Sequence, residues 1–239
     1  MAYIIKLLES STIAEGTMAF KFEKPAGYSF MAGQATDWTL IDPPETDAEG
    51  NSRSFTICAA PDDAFLRLAT RMRDTAFKRT LKNMKVGDTI SIDDPWGEFT
   101  LHEDTTIEAV FLAGGIGVTP SISVIRDAAL SGASRMITLF LSNRRPEDAP
   151  FMGELEEATK HNDSIRIIAS MTEMEKSSQK WDGEKGFIDK AMLQRHLPNI
   201  NKPIYYIAGP PQMVAAMKDV LLKAGIDETK IRLDDFLGY

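Results

Sequence analysis

One junction in the middle of the chain constrains its fold more than any other feature. Residues 107–112 form an apolar run broken only by Glu108, the pattern expected of a strand buried on both faces of a parallel sheet. Ala113-Gly114-Gly115-Ile116-Gly117-Val118-Thr119-Pro120 follows at once. Glycines at such a turn let the backbone approach a bound group closely, and the N–H groups that open the next helix point at a pyrophosphate. Pro120 suits the first helical turn, where an N–H has no helical partner to lose. The glycines fall short of a full GxGxxG motif, and spacing alone leaves a plain tight turn as the alternative to a phosphate site.

Beyond this junction strands alternate with helices. Strands are expected at 136–141, 165–170, 204–207 and 231–236, and helices at 151–161, 189–196 and 212–224, with another running from the glycine turn to about residue 130. Met213, Met217, Val220 and Leu221 recur at helical spacing and mark a core-facing stripe. Such alternation implies a parallel sheet covered by helices. Residues 181–186 read as a surface loop.

The first hundred residues have another character. Short strand candidates at 3–8, 17–22, 35–40, 53–59, 65–72 and 89–93 are punctuated by glycine and proline turns, as in a sandwich or barrel. One helix, at 75–84, interrupts them, with Phe77, Leu81 and Met84 on one face. The acidic stretch 42–52 is rich in turn formers and reads as an exposed loop. The fold class is therefore a two-domain chain: an N-terminal antiparallel β-barrel over residues 1–102, then an α/β parallel-sheet nucleotide-binding domain over residues 103–239.

Charge and cysteine usage narrow the function. Acidic residues outnumber basic ones, 35 to 27, which argues against a nucleic-acid binder. The single cysteine, Cys58, forms no internal disulfide and supplies far fewer than the about four thiolates of an iron–sulfur cluster. It fits a reducing, cytoplasmic setting. No signal peptide, lipidation motif or membrane-length apolar run is expected, and no metal site, since His102, His161 and His196 lack ligand spacing. At the end of the second α/β strand, where a ribose-binding acid is usual, stand Arg144 and Arg145. They are either partners of a 2′-phosphate or solvated charges.

Three motifs occur in order: Arg53-Ser54-Phe55-Thr56, the Gly114–Pro120 turn, and Ala208-Gly209-Pro210-Pro211. Together they resemble the ferredoxin–NADP⁺ reductase family over nearly the whole chain. The resemblance implies FAD as cofactor and NAD(P)H as hydride donor. It places Arg53 on the FAD pyrophosphate with Ser54 beside it, Phe55 on the flavin ring in place of the usual tyrosine, and the Thr56 hydroxyl on flavin N5 as a catalytic contact. Arg71, Met72 and Arg73 match the strand that lines the flavin and its ribityl chain. Thr75, Ala76, Phe77 and Lys78 stand where the family has a Gly-x-x-Ser helix start that grips the pyrophosphate, with Thr75 and Lys78 departing from it. Asp94-Pro95-Trp96-Gly97 resembles a Gly-Pro-x-Gly corner.

On the nicotinamide side the resemblance implies contacts from Gly115, Gly117, Val118, Thr119, Gly209, Pro210 and Met213, with Arg144 toward a 2′-phosphate. Ala208 stands where the family often has a cysteine, and Ala169-Ser170-Met171-Thr172 lacks the Ser-Arg pair that holds the 2′-phosphate, so NADH and NADPH both stay open. The tail resembles family tails that approach the flavin's other face, with Phe236 as a second catalytic contact and Tyr239 as a further candidate. The implied partner is a separate acceptor, a ferredoxin or flavodoxin. Arg71, Arg73, Lys78, Arg79, Lys82 and Lys85 form a basic run that is either a steering patch for an acidic carrier or a solvated face. A free-flavin or ferric reductase, and a regulatory or assembly protein that Ala208 invites, are the alternatives.

Overall fold

The computed structural model describes residues 2–236. Its first half holds β1 (Tyr3–Ala14), β2 (Thr17–Glu23), β3 (Ala35–Leu40), β4 (Ser52–Thr56), β5 (Phe65–Arg71), α1 (Ala76–Asn83) and β6 (Thr89–Ile92). These strands form a six-stranded antiparallel sheet in the order β4-β3-β6-β1-β2-β5. The chain leaving β4 then turns toward the far edge, where the Cys58 N–H donates to Arg67 O at 2.8 Å, and this bond curls the sheet on itself. Period-two patterning fills the interior: Phe20, Phe22, Trp38, Leu66, Leu68 and Ile90 are buried together, and α1 adds Phe77 and Leu81.

β1 runs six residues past the expected end at Leu8, to Ala14. Its second half is polar and carries no alternating signal. It is held instead by pairing with β2, as in Ser10 with Phe20 and Thr12 with Met18, and register shifts on either side mark bulges. The hairpin tip reaches the second half of the molecule, where Glu15 N–H donates to Glu147 O at 2.8 Å.

The second half comprises β7 (Ala109–Gly114), α2 (Thr119–Ser131), β8 (Ile137–Asn143), α3 (Met152–His161), β9 (Ile165–Met171), β10 (Glu184–Lys185), α4 (Lys190–His196), β11 (Ile204–Gly209), α5 (Pro211–Lys223) and β12 (Ile231–Asp235). All the pairings are parallel, in the order β10-β9-β8-β7-β11-β12. Alternate side chains of β7 enter opposite cores: Phe111 and Ala113 pack with Ile122 and Leu155, while Val110 and Leu112 pack with Val214 and Leu221. β7 is displaced by two residues from the expected 107–112, because Ile107 lies in a turn, its N–H bonded to Asp104 O and its carbonyl to the His102 ring. β10, in the segment read as a loop, is too short to carry any periodicity.

The order places β7 between β8 and β11, so the chain builds outward to one side and then reverses to the other. Ligands of open α/β sheets bind at this switch, outside the carboxyl ends of the strands. Gly114 and Gly209 stand at those ends.

Candidate functional site

A cleft of about 1020 Å³ opens between the two sheets. From the barrel, β4 turns Arg53, Ser54, Phe55 and Thr56 to it; from the α/β side come Thr119 at the start of α2, and Asp234 and Phe236 from the end of the chain. β4 reaches the cleft because it is an edge strand paired only with β3. The Phe55 ring is half-buried and leans on Phe77 with centroids 5.8 Å apart, and its carbonyl accepts from the Trp38 indole at 3.3 Å. Thr56 is buried, at 8% exposure.

One end of the cleft is built for an anion. Thr75 caps α1, its hydroxyl accepting from Lys78 N–H at 3.3 Å. Lys78 Nζ donates to Arg71 O at 2.9 Å. Burial, together with the neighbouring charges of Arg73 and Arg53, pulls the Lys78 ammonium down to about 8. Clustered cations depress one another's protonation unless an anion joins them. Arg53, Lys78 and the opening turn of α1 therefore fit a diphosphate.

The glycine turn meets β11 at close range. A Cβ on Gly117 would lie 2.4 Å from Ala208 O, and one on Gly114 would lie 2.0 Å from Met213 Sδ. Gly115 (φ +55°) and Gly209 (φ +151°) take backbone conformations that side chains rarely adopt. Thr119, 3% exposed, donates its hydroxyl to Ile116 O at 3.1 Å and is the candidate from this turn that lines the cleft. Gly115, Gly117, Gly209 and Pro210 lie at the carboxyl ends of β7 and β11.

Several expected residues stand elsewhere. Phe77 and Val118 are fully within cores, and Ala76 is buried, so only their backbones are available to a ligand. Met72 packs against the barrel core, and Arg71, Met72 and Arg73 do not line the cleft. Met213 rests on Gly114 and the second sheet. Arg144 is exposed, its Nε 3.8 Å from Glu173. Tyr239 lies outside the described residues. The basic run is partly neutralised, since Arg79 pairs with Glu45 and Asp74, each at 2.5 Å. Among the described residues no cluster of His, Cys, Asp and Glu is arranged to hold a metal, and no helix is long and apolar enough to cross a membrane.

Asp234 is a cleft residue that the motifs do not mark. Burial, with Asp235 adding to it, pushes its carboxyl up to about 6. Its signal in the sequence is the period-two face that Arg232, Asp234 and Phe236 share, all half-buried while Leu233 and Asp235 are exposed. The Phe236 N–H donates to Gly209 O at 3.0 Å, which ties the tail to β11 beside the cleft.

A buried ion-pair network holds the two halves in place around the cleft. Arg67, its side chain 7% exposed, meets Glu154 at 2.7 Å and donates twice to Cys58 O. Arg126 bridges Asp63 at 2.9 Å and Glu154 at 3.0 Å. The Ser123 hydroxyl, on α2, donates to Ala59 O at 2.7 Å and accepts from Gly33 N–H at 3.2 Å.

A barrel that offers an aromatic, a hydroxyl and an anion site to the switch point of a parallel sheet is the frame of a two-domain dinucleotide-binding fold. Comparison with known proteins agrees. Residues 111–219 match the oxidoreductase NAD-binding domain family. A component of the Na⁺-translocating NADH-quinone reductase of Methylococcus capsulatus is 34% identical over 160 residues, covering 65% of this chain and 39% of that protein. The reductase component of the glycine betaine monooxygenase of Chromohalobacter salexigens is 27% identical, covering 92% of this chain and 60% of that protein. The chain thus spans less than two thirds of either relative. A ferredoxin NADP⁺ reductase from Neisseria gonorrhoeae, solved with FAD and NADP, superposes with a TM-score of 0.79 at 19% identity over 98% of both chains. The chain thus carries an oxidoreductase NAD-binding domain over residues 111–219 and shares its two-domain fold with that structure.

Proposed function

We propose that this chain takes a hydride from NAD(P)H onto FAD held in the cleft and passes the electrons to a separate acceptor. The observation that carries this reading is that Arg53, Phe55 and Thr56 open on the same cleft as Thr119, Asp234 and Phe236. The two relatives are by name parts of a quinone reductase and of a monooxygenase reductase system, and the Neisseria structure holds both nucleotides. Residues 1–102 are assigned to the flavin and residues 103–239 to the nicotinamide nucleotide.

Bound flavin would supply a group that accepts a hydride and releases electrons singly or in pairs. The protein's part is placement, because reacting atoms must be held about 3–3.5 Å apart. Arg53, Lys78 and the start of α1 hold the phosphates. Phe55 gives a face for the ring, and Thr56 a hydroxyl for a ring nitrogen. Gly114 and Gly117 let the turn after β7 close on Met213 and the end of β11, and this turn offers its backbone to the second nucleotide. Phe236 covers the far side, and Asp234 offers a carboxyl that holds or releases a proton near neutral pH. We assign the acceptor as a small electron-carrier protein, and the setting as a reducing compartment in keeping with the fully buried Cys58. Anaerobic titration with NADH and NADPH tests the reading: the chain binds FAD and its absorbance bleaches within seconds. A chain that binds no flavin, or a flavin that neither nucleotide bleaches, refutes it.

A further inference from the structure

The loop between β3 and β4 folds back onto the anion end of the cleft. Arg53 meets Asp47 at 2.8 Å and Glu49 at 3.1 Å. These carboxylates thus use the guanidinium that a phosphate would use there. The loop is fixed in this pose. Asp47 and Gly50 form a β-bridge, and Glu49 N–H donates to the Asp47 carboxylate at 3.0 Å. Further along α1, Arg79 grips Glu45 through Nε at 2.8 Å and through a second nitrogen at 2.5 Å.

We propose that Asp47 and Glu49 are affinity-determining residues that occupy the flavin's phosphate site, so that the cleft holds a phosphate-bearing flavin exchangeably rather than permanently. This rests on the flavin reading of the cleft. A diphosphate entering the site meets two carboxylates and displaces both from Arg53. The opposite role, in which the carboxylates aim Arg53 at the phosphate, is less economical with what is seen. Arg53 is already aimed by three carbonyls: Glu49 O at 3.0 Å, Gly50 O at 3.0 Å and Ser52 O at 2.7 Å. Neutral side chains at 47 and 49 therefore leave the guanidinium where it stands and remove the competing charge. The isoalloxazine end, at Phe55 and Thr56, is untouched by the change.

The test is flavin-fluorescence quenching on the flavin-free chain, titrated with FAD and with riboflavin, which lacks phosphate. The double variant Asp47→Asn, Glu49→Gln should lower the FAD Kd by about tenfold or more, from the removal of two like charges beside the diphosphate, and leave the riboflavin Kd within about twofold. Glu49→Gln alone, at a side chain 75% exposed that threatens no fold, should give a smaller shift in the same direction. An FAD Kd that is unchanged or weaker in both variants, with riboflavin binding intact, overturns the proposal and makes the carboxylates positioning groups. If neither flavin binds wild type or variants, the proposal falls because the flavin reading itself has failed, an outcome distinct from the first.

Discussion

Gly117→Ala tests whether the meeting of the glycine turn with β11 is as tight as the site requires. The new Cβ would stand 2.4 Å from Ala208 O, 2.5 Å from Gly209 Cα and 2.7 Å from Ala208 C. All three are backbone atoms, so no side chain can swing aside. Unstrained carbon contacts lie near about 3.5 Å, so the turn and the end of β11 must part by about 1 Å. Overpacking of this kind costs about 1–3 kcal/mol, which corresponds to a fall in Tm of roughly 2–12 °C in a chain of this size. A displacement of about 1 Å at a reacting centre can cost about 10²-fold in rate, so nicotinamide-dependent turnover should fall more than stability does. Thermal unfolding and steady-state rates with an artificial acceptor measure the two effects. Gly153→Ala, in α3 with nothing within 4 Å of its Cβ, is the control and should leave turnover unchanged and Tm unchanged or slightly raised. If Gly117→Ala keeps wild-type Tm and turnover, the close approach is not a constraint and the reasoning fails.

Other outcomes follow from the same geometry. Arg67→Met strips Cys58 O of two donors and leaves Glu154 with Arg126 alone; it should destabilise the chain by about 2–4 kcal/mol, seen as a lower denaturant midpoint, and an unchanged midpoint counts against a structural role for the network. Asp234 holds its proton up to about 6 in the folded chain, against an ordinary 3.8, so between those values the native state binds more protons than the unfolded one. Its contribution to stability is present at the acid end and lost as pH rises through about 6; Asp234→Asn should remove that decline, and coincident Tm–pH slopes for the two proteins contradict it. Glu173 lies 3.8 Å from Arg144 and 2.7 Å from Lys176, so a 2′-phosphate brought to Arg144 meets a carboxylate. NADH should therefore be preferred in kcat/KM, and Glu173→Gln should narrow the ratio; a wild-type preference for NADPH refutes this.

The two-layer plan was legible because each half carries one period. Turn residues between short segments marked β2, β3, β5 and β6, and the apolar run before Gly114 marked the centre of the second sheet. The polar half of β1 escaped notice because its order comes from β2 across a hairpin, not from its own composition. Side chains were read less well than positions. Phe77 and Val118 sit inside motifs that suggest ligand contact, yet each lies on the core side of its element, and a motif records spacing without stating which face it presents. The acidic loop was recognised as acidic and turn-rich; that Glu45 comes to rest on Arg79 of α1, bringing Asp47 onto Arg53, depends on a fold-back that local pattern does not encode.

Ser123 bears on how the molecule can move. One hydroxyl on α2 is shared between Ala59 O and Gly33 N–H of the barrel, and α2 is the helix that begins at Thr119 on the cleft wall. The rivet lies about one helical turn from that wall. The cleft wall is thereby tied to the barrel through α2 before any guest arrives. If a hydride crosses this cleft as proposed, solvent viscosity, which slows enzymes that must shut before they react, should leave that step nearly untouched.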